Sequence, residues 1–211
     1  MGSLPKREGF RKRKRFELPT FPVSKRIDLD IETEITKGKI IIAYPTEDIW
    51  DIHRTRRFSV LSAVLSERMR EQIREKLGAT YSAYAYNMPS RVYSGYGTFL
   101  MIVNVDPGAS EFIIKEVKNI VHEIVEKGIH QNEMKRALKP SLTNIKDQMR
   151  KNGYWLNTVL NASLEHPEQI DWSRTILSDY GAITVNELDD LAKRYLDNTK
   201  AAIVVIQPRR R

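Results

Sequence analysis

Between Leu61 and Tyr86 the apolar residues change their spacing, and that change constrains the fold more than any other feature. Leu61, Val64, Leu65, Met69 and Ile73 recur every three or four positions, the stripe of an amphipathic helix. Beyond Gly78, Tyr81, Ala83 and Ala85 alternate with Ser82, Tyr84 and Tyr86, the two-residue period of a strand. Gly78 stands where the helix should end, because it takes the left-handed C′ conformation without a Cβ clash. Arg74 therefore leaves the last helical turn and Tyr81 opens the strand, seven positions apart. A tight turn between them can aim a guanidinium and a phenol at one place.

The rest of the chain repeats these two periods. Residues 1–23 hold Pro5, Pro19 and Pro22 with a charge block and no apolar period, and read as a linker. Ile27, Leu29, Ile31 and Thr33 alternate with Asp28, Asp30, Glu32 and Glu34, predicting a strand with an acidic outer face. Lys37-Gly38 makes a turn, and Lys39 to Tyr44 reads as an inner strand stopped by Pro45. The helix that ends at Gly78 starts after Asp51. Asn87 to Ser90 then reads as a turn and Val92 to Val105 as a long strand. Gly95 and Gly97 share one face of that strand, the mark of a bulge or of a closely approaching backbone.

Three helices follow in this reading, and a fourth before the last strand. Asp106-Pro107-Gly108 breaks the chain and Ser110 is the expected N-cap. Ile113, Val117, Ile120, Val121 and Ile124 give one buried stripe, closed by Gly128. A second helix runs from about Asn132 to Asn152, kinked or split at Pro140, and a third from Gly153 to about Ala162. Thr184 and Glu187 form a capping box, with Ile183 and Leu188 as its hydrophobic staple. Ala201 to Ile206 is a closing strand ended by Pro208. The order predicts an α+β fold, a mostly antiparallel sheet with helices packed on one face, over residues 24–208.

The segment R-E-K-L-G-A-T-Y-S, residues 74–82, resembles the signature in the C-terminal half of the pitrilysin/insulinase zinc metallopeptidases. The K-N-G-Y-W-L-N segment at 151–157 resembles the same region of the long bacterial, processing-protease-like members. Those proteins pair two similar halves around a peptide, with zinc in the N-terminal half. The resemblance implies that Arg74 and Tyr81 hydrogen-bond the substrate and the oxyanion formed at the scissile carbonyl, completing the active site of that partner half. A fixed cation and a phenolic O–H suit developing negative charge. The family's sheet edges pair with extended substrate, which makes Gly95 and Gly97 candidate substrate-binding positions. The alternative is a non-catalytic scaffold of the same fold that binds partners only. The resemblance favours a bacterial periplasmic location, with the cytoplasm as the other choice.

The zinc site of this family needs H-x-x-E-H on a helix. His53, His122, His130 and His166 are the only histidines, and none has a second histidine at helical spacing. His122 and Glu126 share a helix face, which is two ligands and not three. The helix equivalent to the zinc helix reads L-S-A-V-L-S-E-R-M-R-E-Q. This chain is therefore expected to bind no zinc and to be inactive by itself.

Charge and composition narrow the rest. The net charge of +8 is concentrated at the ends, since residues 1–26 and Arg209 to Arg211 hold most of the excess Lys and Arg. The run Arg11 to Arg15 reads as a solvated tail, because no aromatic residues interleave it as a nucleic-acid groove would require. Residues 209–211 form a second basic tail. No apolar run reaches the roughly 18 residues of a membrane span. With no cysteine, thiolate metal sites and disulfides are excluded. Neither G-x-S-x-G nor G-x-x-x-x-G-K-[ST] occurs, which removes a serine-hydrolase elbow and a phosphate loop.

Overall fold

Ile40, Ile42 and Tyr44 are almost wholly buried on one face of a strand, and the core forms around them. The computed structural model describes residues 17–77, 82–161 and 163–209, without the side chains of Arg74, Lys76 and Leu77. Gly78, Tyr81, Ala162, the basic run at 11–15 and Arg210 to Arg211 lie outside the described residues.

The elements run β1 (Arg26–Glu32), β2 (Gly38–Thr46), α1 (Ile52–Leu77), β3 (Ala83–Pro89), β4 (Gly97–Val105), α2 (Ser110–Lys127) and α3 (Gln131–Met149). They continue with α4 (Asn152–Tyr154), which passes directly into a π-helical stretch (Trp155–Leu160), then α5 (Glu168–Ala182), α6 (Val185–Tyr195) and β5 (Ala202–Arg209). The described strands form a five-stranded sheet of order β1-β5-β2-β4-β3. All neighbours are antiparallel except β1 and β5. The helix layer packs Leu61, Val64, Leu65, Met69 and Ile73 of α1 and the stripe of α2 against the inner residues of β2 and β4. This is the α+β arrangement that the sequence predicts.

Three proline expectations are corrected by sheet position. β2 runs through Pro45 because its pairing with β5 ends at Ala43, so the missing N–H faces no strand there. β3 runs through Pro89 because it is an edge strand. β5 runs past Pro208 because β2 leaves it at Ile206. Residues 92–96, assigned to a long strand, belong to the β3–β4 turn at 90–96, and β4 begins only at Gly97. Pro140 lies inside an unbroken α3 on its exposed face, where solvent can satisfy the freed carbonyl. The N-cap of α2 is Ala109, while Ser110 is buried and accepts a hydrogen bond from Gln207 Nε2 at 3.1 Å.

Two findings go beyond boundaries. β1 alternates as expected, but with its faces reversed. Asp28 shares the helix-side face with Arg26, which bonds Asp28 and Glu111 of α2, whereas Ile27, Leu29 and Ile31 lie on the uncovered face. Helix α5 was not anticipated at all. Its buried positions are Gln169, Ser173, Asp179 and Tyr180, so no apolar stripe announces it.

Candidate functional site

The middle of α1, at residues 66–68, is tied to β3 and to α3. Ser66 Oγ accepts from the Ala85 N–H at 2.8 Å and donates to the Ser62 carbonyl at 2.7 Å, joining α1 to edge strand β3. Arg68 grips Glu133 of α3 through Nε at 2.6 Å and Nη2 at 2.8 Å, and reaches the Gly128 carbonyl at 3.0 Å. Burial pushes the Glu133 carboxyl up, but the Arg68 fork and the His130 N–H outweigh it and hold it below its usual range. Arg136 of α3 reaches Glu67 at 2.7 Å. These ties hold α1 six to eight positions before Arg74, the fourth residue from its C-terminus.

Tyr81 lies outside the described residues, one position before Ser82, whose carbonyl accepts from the Asn104 N–H at 3.0 Å. That bond fixes where the chain enters β3. The outward backbone groups of Ala85 are directed to Ser66, so α1 covers this part of the β3 edge.

Gly95 and Gly97 sit at the opposite end of the sheet. Ala83 pairs with Val103 and Pro89 with Gly97, so the length of β3, about 20 Å, separates the two candidate positions. Gly95 has φ 68° and donates its N–H to Asp48 Oδ2 at 2.6 Å. A Cβ on Gly97 would stand 2.1 Å from the Glu47 carbonyl oxygen, which is the close backbone approach the sequence suggests. Both glycines let the β3–β4 turn close on the β2–α1 loop.

The four histidines are dispersed. His53 Nδ1 lies 2.8 Å from Asp179, His166 rests 4.0 Å from the Trp50 ring, His130 precedes α3 and His122 lies on α2. Among the described residues no group of three or more His, Cys, Asp or Glu side chains could hold a metal ion. The donor set of these residues does not fit a zinc site.

Sequence reasoning missed one polar cluster. At the start of α1, Arg56 donates to Asp179 at 2.8 Å and to the Trp172 carbonyl at 2.6 Å, and Arg57 bridges Asp179 and Glu187 at 2.8 Å each. Burial raises the Asp179 carboxyl, but bonds from Arg57, Arg56 and His53 prevail and hold it at about 2. The available signal was two cations, Arg56 and Arg57, with the His53 imidazole, near the positive end of a helix whose first turn has no acidic residue.

Comparison with known proteins places this geometry. A peptidase M16 inactive domain from Pseudomonas fluorescens superposes with a TM-score of 0.73 at 19% identity, over 92% of this chain and 46% of that one. The inactive peptidase domain of a Bordetella parapertussis zinc protease gives 0.65 at 11% identity, over 83% of this chain and 94% of that one. The fold is thus that of a metallopeptidase half-domain. The chain belongs to the peptidase M16 inactive domain family, which matches residues 1–140. Among curated proteins it is similar to an uncharacterized zinc protease of Rickettsia felis, at 26% identity over 59% of this chain and 30% of that protein. It also resembles the chloroplastic stromal processing peptidase of Arabidopsis thaliana, at 23% identity over 61% of this chain and 10% of that protein. The chain spans less than a third of either relative.

Proposed function

We propose that this domain binds peptide and stabilises the tetrahedral intermediate for a zinc-bearing half outside this sequence. The observation that carries the reading is the place of the Arg74–Ser82 segment. It joins the C-terminus of α1 to the first residue of edge strand β3, in a domain of the M16 inactive family. In this reading Arg74 supplies a charge-assisted donor to substrate and oxyanion, and Tyr81 supplies a phenolic O–H. Zinc, held by the partner half, would activate the attacking water. Gly95 and Gly97 would contact substrate only at the far end of β3, about 20 Å from its Ala83 end and beyond the edge that Ser66 covers at Ala85.

The test is kinetic and uses a longer protein containing both halves. Tyr81→Phe and Arg74→Ala should each lower kcat by roughly 10²–10³, the effect of losing one oxyanion donor. Unchanged kcat in both variants would leave the second reading, a partner-binding scaffold. Export to a bacterial periplasm is part of the proposal, and fractionation of cells producing the longer protein checks it.

A further inference from the structure

The first turns of α1, the π-helical stretch and the start of α5 leave a cavity of about 190 Å³ between them. Its rim is formed by Ile49, whose N–H donates to the Ser90 carbonyl at 3.0 Å, and by Arg91 of the β3–β4 turn. Ile52, Val159, Trp172 and Ile176 make apolar walls. A π-helix bonds residues five apart, is rare, and often occurs at functional sites. Here its wider turn brings Tyr154, Thr158 and Val159, four and five positions apart, onto the same wall. The polar groups converge on the rim. Arg56 also lines the cavity, but Asp179 neutralises it at 2.8 Å. Arg91 has no carboxylate partner among the described residues, and its Nη1 donates to Gln169 Oε1 at 3.2 Å. Gln169 is only 4% exposed, and its Nε2 donates in turn to the Thr158 carbonyl at 3.0 Å. A buried amide thus holds an unpaired guanidinium at the cavity. Tyr154 adds a phenolic O–H with no hydrogen-bond partner among the described residues. Burial pushes that phenol up against the opposing Arg56 charge, so it stays protonated. No described carboxylate lines the cavity.

We infer that this cavity binds a small apolar monocarboxylate, with Arg91 and Tyr154 donating to the carboxylate and the apolar walls taking the hydrocarbon body. Three features select that class. A guanidinium without a carboxylate partner suits a planar anion that can accept two of its N–H bonds. One uncompensated charge selects a monoanion, and with no carboxylate in the walls an ammonium group would be desolvated without a partner, which rejects a free amino acid. Size sets the body. An apolar cavity of about 150 Å³ admits benzene, so this one has room for about six carbons. The site is separate from the Arg74–Ser82 segment, because Arg56 precedes Arg74 by 18 positions of α1, about 27 Å along the helix.

The probe is isocaproate, titrated by calorimetry into the 211-residue chain at neutral pH. It should bind at one equivalent, and the indole N–H resonance of Trp172 should shift with it. Trp155 lies outside the cavity and donates its indole N–H to the Met149 carbonyl at 2.8 Å, so its resonance should stay in place. Two relatives of the probe test the chemistry on the unaltered protein. Isocaproamide has the same shape without the charge, and free leucine adds an ammonium to the same skeleton. Each should bind at least about tenfold more weakly than isocaproate. Arg91→Gln, at an exposed turn position, should weaken isocaproate by about tenfold or more, with the melting temperature of the ligand-free chain nearly unchanged. No binding at millimolar isocaproate overturns the proposal, as does binding that leaves Trp172 unmoved. Equal binding of the acid, the amide and leucine also overturns it, and so does an Arg91→Gln chain that binds isocaproate as the wild type does.

Discussion

Arg56 Nη1 and Asp179 Oδ2 meet at 2.8 Å with side chains only 4% and 5% exposed, joining the first helix of the domain to the one helix that its sequence hides. Asp179 also receives Arg57 and His53, so one carboxylate balances three donors. Asp179→Ala should cost about 3–5 kcal/mol, because it strands a buried guanidinium. Urea unfolding of the purified domain would measure it. A loss below about 1 kcal/mol would mean that the cluster is not buried as described.

The same carboxylate gives a signed pH dependence. Its folded pKa is held at about 2, below the ordinary 3.8. The group is thus ionised and stabilising above pH 4, and its contribution disappears as pH falls from about 4 towards 2. Midpoints of unfolding measured across that window should fall steeply in the wild type. Asp179→Asn, less stable throughout, should flatten the slope.

The two turn glycines should respond differently to alanine. Gly97→Ala forces a Cβ against the Glu47 carbonyl, 2.1 Å away, and Thr46 Oγ1, 2.8 Å away. Overpacking against backbone costs about 1–3 kcal/mol or more. Gly95→Ala meets nothing within 4 Å, and carries only the strain of φ 68°. That strain is about 1–2 kcal/mol. The midpoint ranking should be wild type, Gly95→Ala, Gly97→Ala. A reversed order would contradict the turn geometry.

The cap of α6 has two unequal members. Thr184 Oγ1 accepts from the Glu187 N–H at 3.4 Å, and the Glu187 carboxylate accepts from the Thr184 N–H at 2.8 Å. Thr184→Ala should cost about 1 kcal/mol. Glu187→Ala should cost more, since Glu187 also receives Arg57 Nε at 2.8 Å. Thermal melts of both variants decide it; equal losses would mean that the Arg57 contact contributes nothing.

Periodic apolar residues were legible wherever the environment is one-sided. The stripes of α1 and α2, the Thr184–Glu187 cap and the inner residues of β2 all stand where their spacing put them. Arg74 was legible as a late residue of α1, because Ile73 marks the buried stripe up to that turn. Helix α5 was illegible for the opposite reason. Its inward face satisfies Arg56 and Arg57 with hydrogen bonds, and a hydrogen-bonded face has no hydropathy signature.

What the sequence determined alone was local: the type of the periodic elements, the Thr184–Glu187 and Gly128 caps, and the glycine that a close backbone approach demands. These depend on residues within a few positions of one another. The tertiary structure decided three things that depend on neighbours far along the chain. It let prolines 45, 89 and 208 remain in strands, because strand order left their nitrogens without partners to lose. It turned the acidic side of β1 towards the helices and its isoleucines outward, because Arg26 and Glu111 meet across 85 positions. And it laid Ile27 and Tyr84, the two edges of the sheet, in a single row, because register is a property of paired strands and not of either strand by itself.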